Sequence, residues 1–218
     1  KLSASIDAIY TGKTFDDASA LLTINGLKYI NDDNIGLNVE NINIEMDNTM
    51  EPHHININSD LVDGLIEGQY DPSTILPAVI DILAQSFPVM NKSVTNNSTP
   101  TNHNDLAHKN DFKFNFTIKD NNQLTDFIKS PVRLIHPIEI SGELNHQQHK
   151  MSLLIDIPYL DQNYKLIKNS SIHLDIDDTI DKCQFYATTL FPKKNGDAEI
   201  AIACYGNDNR LDTDISWH

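Results

Sequence analysis

Alternation of apolar and polar residues runs through most of this sequence and indicates β-strands. The clearest case is 112–118, in which Phe112, Phe114, Phe116 and Ile118 are separated by single polar residues. A period of two places alternate side chains on opposite faces of a sheet. The same period predicts strands over 2–10, 18–29, 35–39, 42–46, 55–57, 62–70, 112–118, 137–144, 151–157, 164–176, 182–191, 197–205 and 211–217. Turns rich in Asn, Asp, Gly or Lys join them, which is the rhythm of an antiparallel meander.

One stretch, 71–88, has a helical period instead. Asp71 is a suitable N-cap, Pro72 suits the first helical position and Pro88 ends the helix. We therefore predict an amphipathic helix over 72–87 that packs on the sheet as a cap. Its apolar side consists of Ile75, Leu76, Val79, Ile80, Leu83 and Phe87.

Two further segments interrupt the strands. Residues 91–110 are rich in Asn, Thr, Ser and His and contain little to bury, so they predict a mobile surface loop. Residues 122–129 present Leu124, Phe127 and Ile128 before Pro131 and predict a short helix. All of these elements fit one mainly β segment over 1–218.

The charge balance excludes several classes of partner. The 218 residues include 31 acidic and 16 basic side chains, for a formal net charge of -15. Such a surface repels nucleic acid and anionic head groups. No apolar run approaches the roughly 20 residues that span a bilayer. Because the chain opens at Lys1 without a start Met, we expect a processed chain or an excised piece, and an excised piece could have left a membrane anchor behind.

Several short motifs resemble catalytic or metal sites but lack the necessary context. Asp175, Asp177 and Thr179 match a DxDxT phosphatase signature, yet too little chain follows for the α/β sheet that this chemistry needs. The sequence 11–14 resembles the end of a P-loop without its first Gly. The histidines at 53–54 and at 146 and 149 have no neighbouring ligands, so we expect surface histidines. The sequence predicts no enzyme, no metal site and no cofactor.

The two cysteines, Cys183 and Cys204, belong to neighbouring predicted strands. If residues 192–195 form the connecting loop, Cys183 faces Cys204 and Phe185 faces Ile202. The Cα atoms of opposed residues lie about 4.5 to 5.5 Å apart, which is within the range of disulfides. We therefore predict a cross-strand cysteine pair, either bonded or present as two thiols.

Most of the strands have one wholly apolar side, and only two helices are available to cover them. An uncovered apolar face of this extent calls for a ligand or a partner. The predicted lining consists of Ile42, Ile44, Ile66, Phe112, Phe114, Phe116, Ile140, Leu153, Ile155, Phe185, Ile200 and Ile202.

Residues 59–70, 124–128, 131–142 and 209–217 resemble a segment of a TamB-type translocation and assembly module protein, of the AsmA-like group. The resemblance implies an elongated, curved antiparallel β-groove of the β-taco type, in the periplasm, from a parent protein anchored in the inner membrane. It also implies phospholipid passage along an apolar lining and support of outer-membrane protein assembly through an outer-membrane partner. The residues alone also fit an alternative, a secreted β-sandwich interaction or carbohydrate-binding module with a sealed core.

Overall fold

A computed structural model describes residues 1–30, 36–86, 110–162, 165–177, 179–207 and 210–218, with side chains except at 85, 179–182 and 207. Apart from Asn110, the predicted loop 91–110 lies outside the described residues, as does Phe87.

The described strands form one open, curled antiparallel sheet, which confirms the prediction of a mainly β fold with a curved antiparallel sheet. Neighbours in the sheet follow the chain from β1 at one edge to β13 at the other, and only β7 leaves this path to pair with β9. The strands are β1 (Leu2–Thr11), β2 (Ser19–Ile30), β3 (Gly36–Asp47), β4 (His54–Ser59), β5 (Val62–Gln69), β6 (Asp111–Ile118), β7 (Val132–Leu134), β8 (Ile138–Asn145), β9 (Lys150–Gln162), β10 (Lys165–Asp177), β11 (Thr179–Lys193), β12 (Gly196–Asn207) and β13 (Arg210–Trp217).

The strand register gives the sheet two chemically different faces, because directly opposed residues point to the same side. We call the side that carries Phe116 the inner face. A central apolar row crosses twelve strands on that side: Ala8, Leu22, Ile44, Ile57, Gly64, Phe116, Ile140, Ile155, Ile172, Ala187, Ile202 and Ile215. The adjacent row on the outer face contains Asp7, Thr23, Asn43, Asn58, Asp63, Thr117, Glu139, Asp156, Ser171, Thr188, Ala201 and Ser216.

The longer helix, α1 (Ile75–Ser86), begins three residues later than predicted. A capping turn occupies the preceding residues, in which the Asp71 carboxylate accepts hydrogen bonds from the Ser73 amide (3.0 Å) and hydroxyl (2.6 Å). The Asp71 carbonyl then accepts the amide of Ile75 at 3.1 Å. This start places Pro77 in the first turn, where its missing N–H costs little.

The shorter helix, α2 (Gln123–Phe127), replaces the predicted span 122–129. It ends early because Lys129 adopts a left-handed conformation, with φ of 55°, which stops the helical hydrogen bonding. Helix α2 packs beside β2 and β3: the Phe127 ring meets Tyr29 edge-on at 5.5 Å, and the Gln123 side chain accepts the Asn38 amide at 3.0 Å.

Candidate binding groove

Helix α1 lies on the inner face, over the ends of the central strands β6 and β8 to β11, and forms the buried core there. Ala78 and Ile82 are fully buried and pack in one cluster with Tyr70, Phe112, Leu144, Met151, Ile176 and Cys183. These two helix positions were not on the predicted apolar side, and Leu76, which was, is 65% exposed. The helix is therefore rotated about its axis relative to the prediction, because small Ala78 allows a close approach to the sheet.

The inner face beyond this cluster is not sealed. No residue of the central apolar row is fully buried, and its ends at Ala8 and Ile215 are exposed. A sandwich with a closed core would bury the middle of such a row against a second sheet. The described strands all belong to one sheet, so the sealed core of the alternative interpretation is absent from this part of the chain.

The register places all twelve residues of the predicted lining on the inner face. Ile44, Phe116, Ile140, Ile155 and Ile202 belong to the central row. Ile66, Phe114, Leu153 and Phe185 belong to the neighbouring row, and Phe112, Ile42 and Ile200 lie two residues along their strands from these rows.

A cavity of about 450 Å³ lies between α1 and the sheet. Helix α1 contributes one wall, in which Ile75, Val79 and Leu83 project at four-residue spacing. Of the described residues that line this space, Ser152 alone is polar. The sheet side consists of Ile66, Phe112, Phe114, Phe116, Leu144, Met151, Ser152, Leu153 and Leu174. Five predicted lining residues meet here, and the other seven continue the surface away from the helix.

The inner face carries apolar groups and almost no charge. The row beside the central one contains Tyr10, Ala20, Met46, Ile55, Ile66, Phe114, Gly142, Leu153, Leu174, Phe185, Cys204 and Thr213. Neither row contains an Asp, Glu, Lys or Arg. A charged ligand group would find no counter-charge within these two rows. An apolar chain lying on them would bury its surface away from water, which is favourable.

Charged residues instead pair on the outer face and at strand ends. The Lys150 ammonium lies 3.3 Å from the Asp177 carboxylate, and His173 Nε2 lies 2.8 Å from Asp175 Oδ2. The two aspartates of the DxDxT motif are thus partners of neighbouring strand residues. Within the described residues, no group of three or more His, Cys, Asp or Glu side chains could hold a metal ion.

The predicted register of the hairpin β11–β12 is wrong. Lys193 pairs with Gly196, so Lys194 and Asn195 alone form the turn and Cys204 faces Phe185 instead of Cys183. Gly196 has φ of 126°, a conformation that lets the chain reverse at this point, while Pro192 remains in the strand opposite Asp197. Cys183 and Cys204 are diagonal neighbours on the inner face, and both are free thiols.

We expect two reactive thiols per chain when the purified protein is unfolded in denaturant without reductant. Diagonal neighbours lie about 7 to 8 Å apart, beyond the usual Cα separation of a disulfide. Titration with a chromogenic thiol reagent measures this number directly. A value near zero would show that the strands shift to allow a bond.

One histidine is not at the surface as predicted. His146, in the turn after β8, is 2% exposed, and its Nε2 lies 2.8 Å from Asp81 Oδ2 of α1. The pairing partner lies 65 residues earlier, so no local pattern could reveal it.

Comparisons with protein-family models, with curated proteins and with solved structures found no match. Among the described residues, no helix has both the length and the apolar content needed to cross a bilayer.

Proposed function

We propose that this chain is a groove segment that accommodates the acyl chains of phospholipids. The observation that supports the proposal is the pair of uncharged rows that cross the sheet from β1 to β13 and stay partly open to solvent. Apolar surface of this continuity is unusual on a protein that has no occupant for it. Burial of apolar surface contributes roughly 25 cal/mol per Å², so each part of an acyl chain that these rows cover adds to the binding free energy.

The charges of the protein indicate how a lipid would lie. With a formal net charge of -15, the surface repels a phosphate group at long range. The rows themselves contain no Lys or Arg that could pair with it. The head group therefore stays in water outside the groove, and the acyl chain alone contacts the inner face.

The cellular role that we propose follows from the TamB-type resemblance of residues 59–70, 124–128, 131–142 and 209–217. In this proposal the segment works in the periplasm, its parent protein is anchored in the inner membrane, and phospholipid passes along the groove. Support of outer-membrane protein assembly, through an outer-membrane partner, belongs to the same proposal.

A pair of adjacent substitutions tests the groove. Ile155→Asp places a carboxylate in the central row, where an acyl chain would lie against it, and we expect at least a tenfold loss of affinity for a fluorescent fatty acid. Leu154→Asp makes the same kind of change one residue away on the outer face, where Leu154 is 38% exposed, and we expect unchanged affinity. Fluorescence titration with vesicle-free probe measures both.

Native mass spectrometry of the purified wild-type chain provides an independent measurement, with co-purified lipid as the expected result. The proposal is wrong if wild type binds no acyl probe, or if Ile155→Asp and Leu154→Asp have the same effect. Binding of soluble oligosaccharide without acyl binding would favour the carbohydrate-binding alternative.

A further inference from the structure

A buried polar pair joins helix α1 to the turn that follows β8. His146 Nε2 lies 2.8 Å from Asp81 Oδ2, and the two side chains are 3% and 13% exposed. The His146 amide also donates to the carbonyl of Asn110 at 2.9 Å. Asn110 is itself buried, and its side-chain amide donates to the Thr74 hydroxyl at 2.9 Å, just before α1. Two buried polar side chains, one just before β6 and one just after β8, thus tie α1 to the ends of two central strands.

The His146–Asp81 contact is a costly way to fix a helix. Buried polar pairs stabilise little, because both groups lose their hydration, and an apolar pair of similar volume often serves as well or better. His146 Nδ1 is buried and has no hydrogen-bond partner among the described residues, which adds a further cost. A contact of this kind is expensive to break on one side only, and its best-attested use is to select between alternative arrangements.

Apolar side chains also hold α1 to the sheet. Ala78 and Ile82 insert into the buried cluster, which includes Cys183 of β11, while Ile75, Val79 and Leu83 pack against that cluster and border the cavity. The chain enters the helix through the capping turn at Asp71. If α1 rotated about this turn, the cavity would lose the wall that the helix forms. The part of the inner face around Phe112 would then become accessible and extend the groove.

We propose that the His146–Asp81 pair is a latch that holds α1 over the cavity, and that release of α1 admits the acyl chain. This inference rests on the proposed function, since it assigns regulation to the same groove. The latch acts through hydrogen bonding and burial. Asp81 and His146 are positioning residues, because neither borders the cavity.

Cys183 provides a native reporter of helix opening. The thiol is 1% exposed beneath α1, and burial raises its pKa to about 11, so it reacts slowly while the helix is closed. Its labelling rate then follows the population of the open state. A Cys204→Ser background leaves Cys183 as the single thiol, since the chain contains two cysteines.

In this background we expect Asp81→Ala and His146→Ala each to raise the rate of Cys183 labelling by maleimide at least tenfold, and to accelerate uptake of the fluorescent fatty acid. Alanine favours helix at position 81, so a gain in labelling would reflect the lost contact. The double variant Asp81→Leu/His146→Leu replaces the polar pair by an apolar contact. We expect it to be labelled more slowly, and to take up fatty acid more slowly, than either alanine variant. Asp126→Asn is the control: it removes an exposed ion pair, 3.2 Å long, between α2 and Arg133 of β7, and we expect it to leave labelling and uptake unchanged.

The outcomes separate this inference from the proposed function. If wild type takes up no fatty acid, the proposed function is wrong, while the labelling rates still decide whether α1 is latched. Unchanged labelling in both alanine variants overturns the latch. Faster labelling with unchanged uptake overturns the gating role. Far-UV circular dichroism identifies a misfolded alanine variant, and Asp81→Leu alone, which cannot accept a hydrogen bond from His146 but fills a similar volume, then replaces it in the same labelling assay.

Discussion

Ile82→Asp will destabilise the protein by about 4 kcal/mol or more, because it places a carboxylate at a fully buried position without a counter-charge. Ile82 packs in the cluster that α1 forms with β6, β8, β9, β10 and β11, which is the main buried core of the described residues. Loss of this contact removes apolar burial and adds the cost of a desolvated charge. Urea unfolding followed by circular dichroism measures the change in the free energy of unfolding.

Leu76→Asp is the matched control on the same helix. Leu76 is 65% exposed, so we expect a change within about 0.5 kcal/mol. Equal losses in the two variants would mean that α1 does not dock through Ile82. A small loss in both would mean that the helix contributes little to the stability of the sheet.

Gly68→Ala is expected to destabilise by about 3 kcal/mol, from backbone strain and steric overlap together. Gly68 has φ of 130°, a conformation that L side chains rarely adopt. A Cβ atom there would meet the Asp111 carbonyl oxygen and lie 2.7 Å from the Phe112 Cα atom, both of which are backbone. Neither atom can move without disturbing the pairing of β5 with β6, so the strand that leads into α1 would shift.

Gly26→Ala separates the two causes. Gly26 also has a positive φ, 60°, but nothing lies within 4 Å of an added Cβ. We expect a loss of only about 1 kcal/mol there, from conformation alone. Thermal unfolding of the two variants gives the comparison. If Gly68→Ala costs no more than Gly26→Ala, the close approach of β5 and β6 at this point is wrong.

The sequence alone revealed the strands and their two faces. A side-chain period of two is a local property, so the sequence alone shows that Phe112, Phe114 and Phe116 lie on one face of the sheet, whichever strands pair with them. Bulk charge likewise needed no structure, since it follows from composition. Because each strand pairs with its sequence neighbour along the main path, local patterns also sufficed to predict a meander.

The local sequence pattern gave wrong predictions where burial or strand register depended on residues of another element. The face that α1 buries is set by the sheet beneath it, so Ala78 and Ile82 are buried although Leu76 is equally apolar. His146 is buried because α1 brings Asp81 within 2.8 Å of it, a contact across 65 positions of sequence. The register of β11 and β12 was decided by a two-residue turn before Gly196, which moves Phe185 opposite Cys204.

The sequence by itself thus determined a two-faced antiparallel sheet, an acidic outer surface and an apolar inner one, since periodicity and composition act residue by residue. Only the tertiary structure decided that the inner face stays open beyond α1 and that a cavity lies beneath this helix. It also decided that Asp81 of α1 meets His146 in the turn after β8. The physical reason is that burial is a property of surroundings. An isoleucine on an alternating strand has the same local pattern whether a second sheet, a helix or solvent lies over it.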